Sequence, residues 1–196
     1  MNMMRFTTMK TKLRKYPSIF LILLLAISSC FLTGCVNQHP KDSKKSSQGE
    51  SVETMLEITD PKEKQAVLNA KAKVKALSGN PRIVATSPAV ADICDKLDLD
   101  LVGVPKSSVS KIPSRYKKVK KVGLAMSPDM EIVSSLNPDW ILAPSSLETD
   151  LKPKFEELKN TEYAFLNLRS VQGMYRSVQE LGEIFGKQQE AEKMTK

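Results

Sequence analysis

The residues of this sequence with chemistry to offer are two Ser-Pro pairs, a run of hydroxyls, a basic stretch and a loop methionine. Ser87-Pro88 and Ser127-Pro128 each precede a helix-like segment. A proline at the first helical position leaves the amides after it, Ala89 and Val90 in the first case, without intrahelical acceptors. Such amides can receive an anion, or the pair does no more than cap a helix. Residues 105–113 run Pro-Lys-Ser-Ser-Val-Ser-Lys-Ile-Pro and place Ser107 and Ser108 in a hydroxyl-rich loop. Residues 101–128 hold seven Lys/Arg (Lys106, Lys111, Arg115, Lys117, Lys118, Lys120 and Lys121) and no acid, a stretch that would attract carboxylates, face anionic lipid or simply stay solvated. Met126 offers a soft, neutral thioether, although by residue type alone it reads as core filler.

Catalysis is not what these residues suggest. G-x-G-x-x-G, Walker A, G-x-S-x-G and H-E-x-x-H are all lacking. The single histidine, His39, falls in a polar, aperiodic segment, so no general base of the usual kind stands near the other groups. The chain reads as a binding module and not as an enzyme.

The elements that must position these groups alternate. Asp60-Pro61 reads as the cap and first residue of a helix with Val67, Ala70, Val74 and Leu77 on one face, ended by Ser78-Gly79-Asn80-Pro81. Short β-like runs follow at residues 82–86, 101–104, 140–143 and 163–166, with helical runs at 89–97 and 130–136 and a Ser145-x-x-Glu148 capping box. Strands alternating with helices of this length imply βαβ crossovers and an α/β fold with a parallel sheet flanked by helices. Ligands of such sheets sit beyond the strands' carboxyl ends, where both Ser-Pro pairs and the hydroxyl loop would lie. From Val171 the apolar residues recur at i, i+3, i+4, i+7 through Phe185, and the pattern predicts one helix still running at Lys196.

The 196 residues carry 30 Lys+Arg against 22 Asp+Glu, a formal +8. Residues 1–34 contribute Arg5, Lys10, Lys12, Arg14 and Lys15 with no acid, and the rest of the chain is close to neutral, so a nucleic-acid partner is excluded. That first segment, a basic run followed by a short apolar one, has the form of a secretory signal. It ends in Leu32-Thr33-Gly34-Cys35, which resembles the bacterial lipobox, so Cys35 is the expected lipidation site. The expected organisation is a lipoprotein signal over 1–34, a lipid-anchored flexible linker over 35–60, a helix over 61–80, an α/β ligand-binding lobe over 81–170 and a further helix over 171–196. The expected location is the extracellular face of the cell membrane, held by the acyl chains. With Cys30 removed and Cys35 acylated, Cys94 remains alone and reads as a small buried hydrophobe.

Five stretches, taken together, look like one family. Arg82-Ile-Val-Ala-Thr-Ser-Pro-Ala-Val-Ala-Asp-Ile93, Leu101-Val-Gly-Val-Pro105, Val122-Gly-Leu-Ala-Met-Ser-Pro-Asp-Met-Glu131, Leu136-Asn-Pro-Asp-Trp-Ile-Leu-Ala143 and Phe165-Leu-Asn-Leu-Arg-Ser-Val171 resemble, in order and spacing, the heme-receptor lipoproteins of Gram-positive heme-uptake ABC transporters. The resemblance covers roughly residues 81–196. It implies the N-terminal lobe of a helical-backbone (class III) periplasmic-binding-protein-like fold, with 171–196 as the start of an incomplete inter-lobe backbone helix.

The resemblance also implies roles. Met126 falls on the family's axial ligand to heme iron, with Ala125 where relatives often have proline. The propionates of the heme, carried as transported ligand, would lie against the amides of Ala89 and Val90 and against Ser107 and Ser108. Glu131 falls where the wider class docks into permease arginines; without the resemblance it is an acid favoured by a first helical turn. Upstream heme-relay surface proteins are further implied partners. The family's second axial ligand, a histidine on a C-terminal lobe, has no counterpart here. The expectation is therefore a truncated receptor, interrupted or a fragment, that binds heme weakly or is inactive alone. The alternatives are a receptor for siderophore or cobalamin-type complexes, or an inert truncated surface lipoprotein.

Overall fold

The computed structural model describes residues 60–196. The signal segment, Cys35 and the linker with His39 lie outside the described residues.

The first described element is α1 (Pro61–Lys75), which starts as expected: Asp60 Oδ1 accepts the Lys62 amide at 2.8 Å and Pro61 follows as the first helical residue. The sheet is built from β1 (Ile83–Ala85), β2 (Leu101–Val104), β3 (Lys120–Lys121), β6 (Trp140–Pro144) and β7 (Glu162–Leu166). Its order is β3-β2-β1-β6-β7 and every pairing is parallel. A two-stranded antiparallel hairpin, β4 (Gly123–Leu124) with β5 (Ser127–Pro128), interrupts the run between β3 and β6. The helices are α2 (Pro88–Lys96), α3 (Met130–Ser135), α4 (Glu148–Glu156), α5 (Val171–Phe185) and α6 (Gln188–Thr195).

Two cores explain why these residues fold this way. Alternate strand residues face opposite helical layers, as strands covered on both faces require. Ile83, Ala85, Trp140, Leu142 and Leu166 pack with Val67, Val90, Cys94, Val178, Leu181 and Ala191 from α1, α2, α5 and α6. Val84, Ile141 and Ala143 pack with Val133, Leu151 and Phe155 from α3 and α4. Phe155 stacks on Phe165 at 5.8 Å between ring centroids and lies 5.9 Å from Tyr163. On the other face Trp140 meets Phe185 edge-on at 5.5 Å, tying β6 to α5. Cys94 is fully buried, and desolvation pushes its thiol up to about 12.

Three expectations about elements are corrected. Residues 171–196 are not one helix. Gly186 adopts φ 71° as a left-handed C-cap, the Lys187 amide returns to the Gly182 carbonyl at 2.7 Å, and α6 folds back against α5. Ser127-Pro128 does not open a helix: it is β5, and Asp129 caps α3, accepting from the amides of Glu131 (3.1 Å) and Ile132 (3.0 Å). The Ser145-x-x-Glu148 capping box does not form either, because Ser145–Leu147 is a 3₁₀ turn and α4 starts without a side-chain cap.

Candidate functional site

Because all five sheet strands are parallel, their carboxyl ends share one edge, and the loops after them begin there. The order places the switch between β1 and β6, since the chain goes out through β2 and β3 and then returns to the other side of β1. Thr86 lies buried at this point, bonded through its amide to the Leu142 carbonyl at 3.0 Å. Ser87 and α2 follow directly.

The loop after β2 and the hairpin after β3 are joined. The Lys106 amide donates to the Gly123 carbonyl at 2.6 Å, and the Asp129 amide donates to the Val122 carbonyl at 2.7 Å, closing the hairpin base. Leu124 pairs with Ser127, so Ala125 and Met126 form the tip. Gly123 permits this path. Its φ is 95°, and a Cβ there would stand 2.9 Å from the Asp129 nitrogen.

The structure presents the Met126 thioether and does not bury it: the residue is 73% exposed. Core filler, the alternative for a methionine here, is thereby excluded. Of the five large hydrophobics exposed among the described residues, Val109, Leu124, Met126 and Val171 lie on the loop, the hairpin and the helix start that follow β2, β3 and β7. Only Leu68, on α1, lies elsewhere. An apolar rim along the carboxyl edge is what a flat apolar ligand would cover. Sequence reasoning missed Val109, Leu124 and Val171 as parts of this rim. The available signal was a bare apolar side chain inside a polar or turn-forming loop.

The anion donors are arranged unevenly. Ser87 is the N-cap of α2, and its Oγ accepts from the Val90 amide at 3.3 Å, with Val90 itself buried. Of the two amides expected to face a ligand, Val90's is thus already bonded, and exposed Ala89 carries the one left without an intrahelical acceptor. Ser107 Oγ accepts from the Ser110 amide at 3.0 Å, which shapes the loop and leaves the hydroxyl proton available; Ser108 is exposed. The strands that these donors follow, β2 and β1, lie one and two places from β3, or about 5 and 10 Å at about 4.8 Å per strand. Glu131 is exposed in the first turn of α3.

The basic stretch does not act as one surface. Arg115 donates to Asp98 at 2.9 Å and Asp100 at 2.7 Å and lies 3.8 Å from Asp95. These acids precede β2, so the cluster sits at the amino edge, away from the site. Lys187 also pairs with Asp98 at 3.0 Å, and the two cations hold that carboxyl below its usual range, the Lys187 hydrogen bond contributing most. Lys117 and Lys118 precede β3, and Lys120 and Lys121 form it, blunting an open sheet edge. Only Lys106 and Lys111 belong to the loop that leaves the carboxyl edge.

A family model described as periplasmic binding protein matches residues 83–196, from β1 to the end of α6. The chain belongs to the periplasmic binding protein family. Its members are substrate-binding proteins of transport systems rather than enzymes. A crystal structure of an ABC transporter substrate-binding protein from Listeria monocytogenes EGD-e is 45% identical, with a TM-score of 0.57 over 59% of this chain and 44% of that one. Staphylococcus aureus IsdE complexed with heme is 35% identical, with a TM-score of 0.56 over 60% and 45% of the two chains. The curated high-affinity heme uptake system protein IsdE of S. aureus (strain Newman) is 36% identical over 117 residues. That alignment covers 60% of this chain and 39% of the relative, so the chain spans well under half the length of the curated relatives it matches. The petrobactin-binding protein YclQ from Bacillus subtilis is 25% identical with a TM-score of 0.51 over 58% and 42% of the chains. Among the described residues no helix is long and apolar enough to cross a membrane.

Proposed function

We propose that this chain binds heme as the substrate-binding component of an ABC importer for heme iron, with Met126 supplying one axial ligand. The exposed thioether at the tip of an anchored hairpin carries the proposal: a neutral soft donor, fixed at its base and free at its end, suits heme iron. Val109 and Leu124 would cover part of one porphyrin face. Ala89 N–H and the hydroxyls of Ser107 and Ser108 would meet the propionates, with Val90 contributing only if its bond to Ser87 is exchanged. Similarity to IsdE, whose crystal structure holds heme, supports the same ligand.

Glu131, exposed at the start of α3, is the proposed contact with the permease, and Cys35 the proposed attachment to lipid at the outer face of the membrane. In a longer protein with a second lobe, the inter-lobe backbone helix would start at α6, after Gly186, and not at Val171. An iron–siderophore ligand is the second candidate, favoured by the petrobactin-binding relative. A thioether has little to offer hard ferric–oxygen complexes, which ranks it behind heme.

Hemin titration of the 196-residue chain, followed at the Soret band, tests the proposal. A shifted band that weakens and moves in Met126→Leu is expected, since leucine keeps the apolar contact and removes the sulfur. No Soret shift, or an identical one in the variant, overturns the assignment of Met126. A further weakening is expected for Ser107→Ala combined with Ser108→Ala.

A further inference from the structure

The helix α1 lies outside the region that the family model matches. Of its fifteen residues only Val67 is buried, with Ala70 and Val74 packed in part. Charge supplies much of the rest. Glu63 accepts from Arg176 of α5 at 2.6 Å, Lys71 pairs with Glu183 of α5, and Lys73 pairs with Glu162 of β7.

One acid is left over. Glu180 stands one turn beyond Arg176 on α5, half-buried, and lines the same groove as Glu63. Two carboxyls therefore lie near a single guanidinium, which is bonded to Glu63 and whose Nε is buried with no acceptor. A carboxyl–carboxyl hydrogen bond needs a proton on one partner. The groove between α1 and β7 is lined by Glu63, Lys73, Glu162, Tyr163 and Glu180. Of these and the neighbours on α5, Lys73 is engaged with Glu162 and Glu183 with Lys71, and Arg176 is the cation that acts on Glu180.

We propose that α1 is a proton-dependent clasp: Glu63 and Glu180, sharing one proton beside Arg176, hold it on α5, and loss of that proton loosens it. Burial and then the Glu63 charge push the Glu180 carboxyl up to about 7, with Arg176 opposing. An acid raised in the folded state binds its proton more tightly there than when released. Docking is therefore strongest near the ordinary value of 4.5 and weakens as pH rises to about 7. Release would lengthen the connection to residues before 60. Fifteen helical residues span about 22 Å, and the same residues extended reach about 50 Å. The clasp sets how much of the chain ahead of β1 is free of the lobe, whichever ligand the lobe carries.

Hydrogen exchange on the full 196-residue chain, corrected for intrinsic rates, tests this between pH 5.5 and 8.5. Protection of the α1 amides should fall by tenfold or more across that range while β1 and β6 keep theirs. Glu180→Gln should hold α1 at its low-pH protection throughout, and Glu63→Gln, which removes the same repulsion from the other side, should flatten the pH dependence even if it loses the Arg176 pair. Unchanged α1 protection with pH in the parent chain, or full pH dependence retained in both variants, overturns the clasp.

Discussion

Gly123→Ala tests whether the hairpin geometry, and not merely the presence of a methionine, makes the site. A residue with a side chain at φ 95° is strained by about 1–2 kcal/mol. The added Cβ would also stand 2.9 Å from the Asp129 nitrogen and 3.1 Å from the Ser127 carbonyl oxygen. Both are backbone atoms at the hairpin base, so the relief has to come from moving the strands. The total should reach about 2–3 kcal/mol. Gly186→Ala is the control: its φ is also positive, at 71°, but a Cβ there meets nothing within 4 Å, so only the strain of about 1 kcal/mol remains. Urea unfolding of the full chain should show the difference. With slopes of about 2 kcal/mol per molar, the midpoint should fall by about 1 M or more for Gly123→Ala and about half that for Gly186→Ala. Gly123→Ala should also lose most of its hemin response although Met126 is still present. Equal midpoints for the two variants, or an unaltered hemin response in Gly123→Ala, would refute the reasoning.

Three further outcomes follow from the packing. Phe155→Ala removes a fully buried ring stacked on Phe165 and should destabilise by about 3–5 kcal/mol in thermal or urea unfolding. In a Cys30→Ser, Cys35→Ser background, Cys94 should resist a thiol reagent at pH 8 until denaturant is added, because burial raises its thiol to about 12. The cluster around Asp98 should show in the acid limb of stability. Its carboxyl is held below the ordinary 3.8, so its contribution is present above that pH and disappears as pH falls through the lowered value. Arg115→Met should make that limb shallower in acid titrations followed by circular dichroism.

The parts of the fold legible in the sequence are those where burial on both faces leaves a continuous apolar run. Ile83–Ala85 and Trp140–Pro144 are such strands, buried along nearly all their length. β3 could not be found this way, because an edge strand of Lys120 and Lys121 carries no apolar pattern. The β4–β5 hairpin pairs only two residues with two, too few for any period. The break at Gly186 was hidden for a different reason. Ala191 falls seven residues after Ile184, so the apolar spacing passes through the glycine as though the helix continued, and only the C-cap preference of glycine marked the stop. Ser127-Pro128 misled because its proline can begin a helix or sit in a strand with its missing N–H turned outward. At the site, residue types pointed to Ser87, Ser107 and the loop containing Met126. They did not disclose that Ser87 consumes the Val90 amide, or that Asp95, Asp98 and Asp100 draw Arg115 to the opposite edge. Those outcomes depend on contacts between elements distant in the chain.

The most direct measurement is iron-edge X-ray absorption on the hemin-loaded 196-residue chain with Cys30 and Cys35 replaced by serine, compared with the same chain carrying Met126→Leu. A sulfur scatterer bound to iron in the first sample and missing from the second is the predicted result. Iron without sulfur in the parent chain, or sulfur retained after Met126→Leu, would contradict the assignment of the exposed hairpin thioether as the ligand.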